Sequence, residues 1–212
     1  MEVYELTVVE IIEQTPTVRT IRFRPDRKIT FKPGQFLMYH ILSRRVAYSI
    51  ASAPYEEYID LCVTKVGEAS GFLHELKIGD KIKADGPHGV FTLEPESDNL
   101  VFIATGSGIA PIRSMIHYLI NKGTDKKITL IFGVRNMDCA LFKDEFERMD
   151  INFIPVCSRE GKKQHVQDVI KEMDFPDADF YVCGIMDMVS DVKKILIDKG
   201  ISGSKIHHEM YV

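Results

Sequence analysis

The chain has 212 residues and a formal net charge of −4, with 27% charged residues of mixed sign. This length suffices to bury a sizeable core and lies between one large domain and two small ones. The slightly acidic balance argues against a nucleic-acid-binding domain, which is normally strongly basic. We therefore expect no nucleic-acid partner.

The cysteine spacing and the distribution of apolar residues bear on metal sites and location. Cys62, Cys139, Cys157 and Cys183 lie far apart, without the close pairs that zinc, iron–sulfur or dithiol sites require. We therefore expect no metal site and reduced thiols. Apolar runs stay well below the roughly 18 residues of a membrane span, and the first residues do not resemble a signal peptide. The sequence predicts a cytoplasmic protein without membrane insertion.

Up to about Glu96 the apolar residues recur with a period of two between Pro, Gly, Asp and Lys residues. The segments with this pattern are YELTVVEII, TVRTIRFRP, GQFLMYHIL, RVAYSIAS, YIDLCVTKV and GDKIKADGP. A short amphipathic segment, SGFLHEL, separates the last two. This pattern predicts a small six-stranded antiparallel β-barrel with one helical insert.

After EPESDN the pattern changes, and short apolar runs alternate with amphipathic stretches up to the C-terminus. Such alternation is typical of an α/β domain with a parallel sheet, in which ligands bind beyond the carboxyl ends of the strands. The sequence therefore predicts two domains, 1–97 and 98–212, with the boundary between Ser97 and Asp98.

Two glycine-containing turns precede predicted helices. In ATGSGIAPIRSM, Gly106 and Gly108 allow a sharp bend before a helix N-terminus that favours an anion, and Pro111 suits the first helical turn. In VGEASGFLHEL, Gly67 and Ser70 stand at a second helix N-terminus. Tight turns and serine caps explain the same residues without any ligand, so these motifs alone leave both interpretations open.

Two later strand ends carry further candidates. CSREG places Ser158 and Arg159 where a hydroxyl and a guanidinium can bind an adenosine phosphate. Exposed loops with a serine and an arginine often contact only solvent, so this segment alone does not establish a site. YVCG places Cys183 where its side chain can contact a flat ring, although a buried cysteine often serves packing alone.

Taken in order, these segments resemble the ferredoxin–NADP(+) reductase superfamily. AYSIAS, GPHGVF, FGVRNMDCALFKDEFE and the terminal EMY strengthen the resemblance, which extends from about Val3 to Tyr211. It implies a flavin-binding barrel followed by a pyridine-nucleotide domain. It also implies hydride transfer from NAD(P)H to FAD, followed by single-electron transfer to a separate ferredoxin, flavodoxin or iron–sulfur subunit.

For the flavin, the resemblance implies that Tyr48 packs along the ring and that Ser49 hydrogen-bonds near its reactive nitrogen. The residues that would line the isoalloxazine are Val63, Thr64 and Lys65. Those that would hold the flavin phosphate are Gly67, Ala69, Ser70 and Gly71.

For the coenzyme, the resemblance implies that Ser158 and Arg159 bind the adenosine phosphate. The implied nicotinamide-nucleotide loop consists of Thr105, Gly106, Ser107, Gly108 and Pro111. Cys183 and Gly184 would form the nicotinamide wall, and Glu209 and Tyr211 an ending whose aromatic ring covers the flavin until nicotinamide displaces it. The implied catalytic residues are Ser49, Cys183, Glu209 and Tyr211.

The superfamily pattern at the flavin strand is Arg-x-Tyr-Ser, and its arginine binds the flavin diphosphate. The sequence departs from this pattern, because Val46 stands where that arginine is expected. In a regular strand Arg44 shares a face with Tyr48, about 7 Å further away than the family arginine, while Arg45 points to the opposite face. Either the long Arg44 side chain spans this distance, or a bulge returns Arg45 to the ligand face. If neither holds, FMN or a transient flavin replaces FAD, which we otherwise expect.

Three further expectations depend on these residues. Ser158, Arg159, Lys162 and Lys163 favour NADP(H) slightly over NAD(H). A barrel surface that could dock an acidic carrier contains Arg22, Arg24, Arg27, Lys28 and Lys32. The alternative functions are a reductase that uses flavin as a diffusing substrate and an electron-transfer subunit of a larger complex.

Overall fold

The computed structural model describes residues 2–211, which form two compact units. Unit 1 comprises Met1–Leu93 and Arg113–Lys122, and unit 2 comprises Glu94–Ile112 and Gly123–Val212. The domain boundary at Ser97–Asp98 stays a prediction. Within residues 2–211, none of the helices is both long enough and apolar enough to cross a membrane.

Unit 1 contains a six-stranded antiparallel sheet with the order β4-β3-β6-β1-β2-β5. Its strands are β1 (Glu2–Thr15), β2 (Val18–Pro25), β3 (Phe36–Ile41), β4 (Arg44–Ser49), β5 (Ile59–Thr64) and β6 (Lys81–His88). The helical insert is α1 (Glu68–Glu75). A bridge between Ile50, directly after β4, and Leu61 of β5 connects the two edge strands, so the sheet curls as predicted.

The alternation of the barrel strands directs one side of each strand into the core of unit 1. Leu6, Phe23, Leu37 and Leu61 are fully buried in this core. Their polar neighbours in sequence lie on the opposite face, because successive strand side chains alternate between faces. The two-residue period therefore predicts both the strands and their buried sides.

The hairpin between β3 and β4 decides how the two neighbouring arginines point. Its two-residue turn places Leu42 and Ser43 at φ of 47° and 62°. The pairing then runs without a register shift from Ile41 opposite Arg44 to the far end of β4. The predicted alternative of a bulge between Arg45 and Tyr48 is therefore wrong, because this turn closes a regular ladder that leaves no extra residue.

Unit 2 contains a five-stranded parallel sheet with the order β11-β10-β7-β8-β9. Its strands are β7 (Asn99–Thr105), β8 (Lys127–Val134), β9 (Asn152–Cys157), β10 (Ala178–Ile185) and β11 (Ile206–Tyr211). The helices are α2 (Ile109–Asn121), α3 (Lys143–Glu147), α4 (Val166–Glu172) and α5 (Met186–Asp198). The first four residues of α2 belong to unit 2, and the rest of this helix belongs to unit 1.

The central strands of unit 2 are apolar on both faces, as expected for a parallel sheet covered by helices. Phe102, Ile103, Phe180 and Val182 are fully buried on β7 and β10. Because all strand pairs are parallel, their carboxyl ends lie at one edge of the sheet. This edge is where ligands bind in open α/β sheets.

Candidate active site

Strand β4 carries the aromatic ring and the hydroxyl that the sequence analysis identified. Tyr48 packs edge-on against Tyr39, with ring centroids 5.8 Å apart, and contacts the core of unit 1. Burial raises the pKa of Tyr48, so its hydroxyl remains protonated. Ser49 is buried at the end of the strand, on the opposite face from Tyr48.

Arg45 is held on that opposite face by a buried carboxylate. Its Nε donates to Asp85 Oδ2 over 2.9 Å, and its Nη2 donates to Oδ1. His40 and His88 contact the same carboxylate through their Nε2 atoms, at 2.7 and 3.0 Å. Burial alone would raise the pKa of Asp85, but the hydrogen bonds from Arg45, His40 and His88 outweigh it and the pKa lies far below its usual range.

Arg44 instead shares the face of Tyr48 and reaches the beginning of α1. Its Nη1 lies 3.8 Å from Glu68 Oε2, in the first turn of the helix. Both side chains are largely exposed, so their attraction in water is weak. The contact with Glu68 therefore holds the Arg44 side chain only weakly.

The turn before α1 is held by a serine cap. The amides of Val66 and Gly67 each donate to Ser70 Oγ over 2.9 Å, and this hydroxyl donates to Gly67 O over 3.0 Å. Because the cap already uses the Ser70 hydroxyl, the first-turn amides of α1 and the Arg44 guanidinium are the groups that suit a phosphate. Ala69 and Gly71 lie in the first helical turns.

The end of β5 lies beside this helix. Val63 is fully buried in the core of unit 1, and its carbonyl accepts a hydrogen bond of 3.0 Å from His74 of α1. Thr64 ends the strand, and the Lys65 amide donates to Thr17 O over 2.9 Å. The Val63 side chain is therefore directed into the core, whereas Thr64 and Lys65 are more exposed.

In unit 2 the segment from Thr105 to Gly108 lies at the end of β7, and its backbone closely approaches the end of β10. Gly106 has a φ of +55°. A Cβ on Gly108 would overlap the carbonyl group of Cys183 and lie 2.8 Å from Gly184 Cα. Glycine is therefore required at position 108 by the contact with the end of β10. Ser107 lies between the two glycines, and Pro111 occupies the first turn of α2.

Thr105 provides an independent indication that this loop binds a ligand. Its Oγ1 is buried and has no hydrogen-bond partner among residues 2–211. A buried hydroxyl without a partner is costly and rare in folded proteins. The hydroxyl lies next to Gly184, at the carboxyl edge of the sheet, so a polar group of a nucleotide at this edge would satisfy it.

Cys183 is brought together with the two candidate residues near the C-terminus. It is fully buried and pairs with Glu209 in the β10–β11 register. Burial and the nearby Glu209 raise the pKa of the Cys183 thiol, and a hydrogen bond with Tyr211 opposes them. Cys183 is therefore a neutral thiol, suited to contact rather than to nucleophilic attack.

Ser158 and Arg159 lie directly after β9 and contact the end of β8. Their amides donate to Val134 O over 3.0 Å and to Arg135 O over 2.9 Å. Arg135 is exposed, as are Arg159, Lys162 and Lys163. Arg135 was not among the predicted site residues, although it directly follows an apolar strand of the parallel sheet, where ligand-binding residues are expected.

Two residues of the predicted docking surface already have strong partners. Arg22 binds Asp60, with Nε 2.7 Å from Oδ1 and Nη2 2.9 Å from Oδ2. Arg27 donates to Asp26 Oδ2 over 3.0 Å and to Val3 O over 2.9 Å. The proposed surface is therefore less cationic than the sequence suggests.

Within residues 2–211, His, Cys, Asp and Glu side chains form no group of three or more that could hold a metal ion.

Comparison with known proteins places both units in well-defined groups. Residues 5–93 match the oxidoreductase FAD-binding domain, and residues 102–194 match the oxidoreductase NAD-binding domain. Ferredoxin–NADP reductase B of Sorangium cellulosum is 32% identical, over 99% of this chain and 98% of that protein.

Two further similarities concern a subunit of an enzyme complex and a solved structure. The gamma subunit of sulfhydrogenase 2 from Pyrococcus furiosus is 30% identical, over 96% of this chain and 82% of that subunit. The structure of a ferredoxin NADP+ reductase from Neisseria gonorrhoeae, with bound FAD and NADP, has a TM-score of 0.89 and 23% identity over 99% of both chains. At that identity the solved structure establishes the fold alone.

Proposed function

The chain belongs to the ferredoxin–NADP(+) reductase superfamily, and from this we infer an NAD(P)H-driven flavoprotein that passes electrons to a separate protein. Hydride from NAD(P)H reduces FAD, and FAD, when bound, releases the two electrons singly. Suitable acceptors are one-electron carriers such as a ferredoxin, a flavodoxin or an iron–sulfur subunit. The four cysteines of the sequence lie far apart, so they do not form the ligand set of an iron–sulfur carrier.

The observation that carries this proposal is the buried, unpartnered Thr105 hydroxyl beside the tightly packed glycines 108 and 184. The two glycines would let a ligand approach the backbone closely, and the Thr105 hydroxyl would have a hydrogen bond to offer it. Both properties fit a nucleotide bound at the strand ends. The residues present therefore suit the coenzyme that the superfamily uses.

For the flavin we propose that Arg44 and the first-turn amides of α1 hold the diphosphate. Arg44 points along the Tyr48 face towards α1, whereas the contacts of Arg45 with Asp85 keep its guanidinium on the other face. We propose that Tyr48 and Thr64 contact the ring and that Ser49 donates a hydrogen bond to it.

For the chemical step we propose roles for Ser49, Cys183, Glu209 and Tyr211. The last three lie together at the ends of β10 and β11. The neutral Cys183 thiol would contact the nicotinamide, with Gly184 allowing close approach. Glu209 and Tyr211 would orient that thiol and exclude water from the reacting atoms.

The coenzyme that we propose is NADP(H), in preference to NAD(H). Ser158, Arg159 and Arg135 lie at adjoining strand ends, and guanidinium groups bind phosphate strongly through paired hydrogen bonds. An Arg159→Gln variant should lower the NADPH specificity, measured as kcat/KM, about 10-fold and leave that for NADH nearly unchanged. An equal loss with both coenzymes would contradict the assignment.

The first experiment is an absorption spectrum of the gel-filtered protein, followed by anaerobic addition of NADPH or NADH. We expect bound FAD that is bleached by the coenzyme, with the faster rate for NADPH. Reduction of added flavin by a colourless protein would favour the diffusing-flavin alternative. A colourless protein that is inert to both coenzymes would overturn the assignment.

A second candidate is an electron-transfer subunit of a larger complex, because a 30%-identical relative is the gamma subunit of a sulfhydrogenase. Rapid bleaching of the flavin in a single turnover, without steady turnover by the isolated chain, would favour this role.

We propose the cytoplasm as the location, because the four free cysteines suit a reducing compartment.

A further inference from the structure

His88 makes two side-chain contacts in unit 1 that none of the proposed roles explains. It ends β6, and its Nε2 lies 3.0 Å from Oδ1 of the almost fully buried Asp85. Its ring also stacks on the ring of Phe36 in β3, with the centroids 5.5 Å apart and an angle of 30° between the planes. The histidine ring is therefore held through one of its nitrogens by a carboxylate and along its face by an aromatic side chain.

An irregularity in the β3–β6 ladder brings His88 to this position. The residues of β3 that pair with Asp85 and with His88 are only two positions apart, so β6 carries one extra residue, as in a β-bulge. In a regular strand Asp85 and His88 would point to opposite faces of the sheet. Because of the extra residue, both side chains lie on one face, where they contact each other.

Phe36 lies between His88 and Ser49. It pairs with His88 of β6 on one side and with Ser49 of β4 on the other. Side chains of directly opposite residues in an antiparallel pair lie on the same face, with their Cβ atoms about 4.5–5.5 Å apart. Ser49, Phe36 and His88 thus form one row across three strands, and Ser49 is buried at the end of this row.

Close packing against the segment after β6 leaves the Phe36 ring little freedom. A Cβ on Gly89 would lie 3.0 Å from Phe36 Cδ1 and 3.1 Å from Cε1. The neighbouring Gln35 donates from Nε2 to Gly89 O over 3.2 Å, and its carbonyl accepts a hydrogen bond of 3.0 Å from the Ile50 amide. Because Ile50 directly follows Ser49, these contacts link the segment after β6 to the end of β4.

We propose that His88 is a positioning residue for flavin reduction, which holds the Ser49 hydroxyl in place through the Phe36 ring. This proposal rests on the proposed function, in which Ser49 donates a hydrogen bond to the flavin. Loss of the His88 ring would leave space beside Phe36, and a shift of Phe36 would move Ser49. Misplacement of about 1 Å near the reacting atoms can cost about two orders of magnitude in rate, so flavin reduction should slow more than flavin binding weakens.

The test is anaerobic stopped-flow reduction of the bound flavin, together with the visible circular dichroism of the flavin before reduction. In His88→Ala the limiting rate should fall about 10-fold, with the flavin content and the coenzyme Kd within about twofold of wild type. The dichroism should change as well, because it depends on the groups that surround the flavin ring. Lys83→Ala is the control, because this exposed side chain lies on β6 two residues before Asp85, and it should keep the wild-type rate and dichroism.

Two further variants separate the ring of His88 from its contact with Asp85. His88→Phe keeps a planar ring against Phe36, and its rate should be within about threefold of wild type. His88→Gln keeps a hydrogen-bond donor without the ring, and it should be as slow as His88→Ala. In both variants Asp85 retains its contacts with Arg45 and His40. A slow His88→Phe with a fast His88→Gln would overturn the role of the ring.

A double-mutant cycle with Ser49→Ala measures whether His88 acts through Ser49. If it does, His88→Ala should slow reduction about 10-fold in the wild-type background and less than about twofold in the Ser49→Ala background. Equal losses in both backgrounds would overturn the positioning role, as would an unchanged rate and dichroism in His88→Ala.

The wild-type protein separates failure of this proposal from failure of the proposed function. If wild-type flavin is not bleached by either coenzyme, the proposed function fails, and the positioning role fails with it. If the wild type reacts and His88→Ala matches it, only the positioning role is wrong.

Discussion

The two units organise their candidate sites in different ways. In unit 1 the strands β4 and β5, which carry the proposed flavin residues, are held by charged side chains, with Asp60 between Arg22 and Arg113 and with Asp85 bound to Arg45. In unit 2 the loop Gly106–Gly108, proposed to bind the coenzyme, is shaped by backbone proximity, with Gly108 against Cys183 and Gly184. Unit 1 should therefore be sensitive to removal of charge, and unit 2 to addition of a methyl group.

The largest effect should come from Asp60→Asn, which removes the carboxylate shared by Arg22 and Arg113. Leaving a buried guanidinium without its counter-charge typically costs about 3–5 kcal/mol. We expect this loss in the free energy of unfolding, measured by urea denaturation. Asp26→Asn is the matched control, because its carboxylate is 41% exposed and pairs at the surface. Equal losses in both variants would show that burial of Asp60 does not matter.

A somewhat smaller effect should follow from Gly108→Ala in unit 2. The added Cβ would overlap the Cys183 carbonyl, and overpacking of this kind costs up to about 3 kcal/mol. We also expect the Kd for coenzyme, measured by fluorescence titration, to rise at least about 10-fold. Gly203→Ala is the control, because nothing lies within 4 Å of a Cβ at that position. If Gly108→Ala keeps the wild-type coenzyme Kd and the wild-type midpoint of urea denaturation, close backbone contact does not shape this loop of unit 2.

Asp85→Asn tests whether charge stabilises the face of β4 that carries Arg45, and the effect of this variant should vary with pH. Hydrogen bonds from Arg45, His40 and His88 depress the pKa of folded Asp85, so its ionised form stabilises the fold. This contribution is complete above the unfolded pKa of about 4 and is lost as the pH falls through the folded value. We expect a loss of about 2 kcal/mol at pH 7.

Urea midpoints at pH 7, 5 and 3 would measure this dependence. The difference between wild type and Asp85→Asn should shrink only below about pH 4. A difference that is constant down to pH 3 would mean that the carboxylate contributes by shape and not by charge.

The smallest effect should be a gain in stability at the β3–β4 turn. Leu42 has a φ of 47°, a conformation that costs most L-residues about 1–2 kcal/mol and that asparagine tolerates better. Leu42→Asn should raise the free energy of unfolding by about 1 kcal/mol, measured by urea denaturation. Leu42→Ala keeps the unfavourable φ and should give no gain. Equal gains in both variants would point to the exposed leucine side chain instead of the backbone.

Much of the fold followed from local patterns. The strands of unit 1 alternate with a period of two, and β7 and β10 are continuous apolar runs, so both sheets were predictable from short segments. The glycines at 106 and 108 were identified for the same reason, because they stand directly between a strand and a helix.

The side-chain partners were not predictable from local pattern. Arg45 meets Asp85 forty positions later. The two residues come together because β4 pairs with β3 and β3 pairs with β6, and the sequence does not reveal this order of strands. The Arg113 contact depends on α2 approaching Ala51 and Asp60, whereas a charge in an amphipathic helix normally faces solvent. The bulge hypothesis was wrong because a two-residue hairpin already closes β3 and β4 in regular register.

The burial of two cysteines has a consequence for how the protein tolerates oxygen. Burial raises the pKa of Cys62 to about 12 and raises that of Cys183 further. Thiolate is the form that peroxide oxidises to sulfenic acid, and reduced flavins in air produce hydrogen peroxide. By keeping these two sulfurs protonated and enclosed, the fold protects them from the oxidant that its own cofactor chemistry generates. Burial and Glu160 also raise the pKa of the Cys157 thiol, but Cys139 and Cys157 are only partly buried, so damage should begin at these two sulfurs because peroxide can reach them.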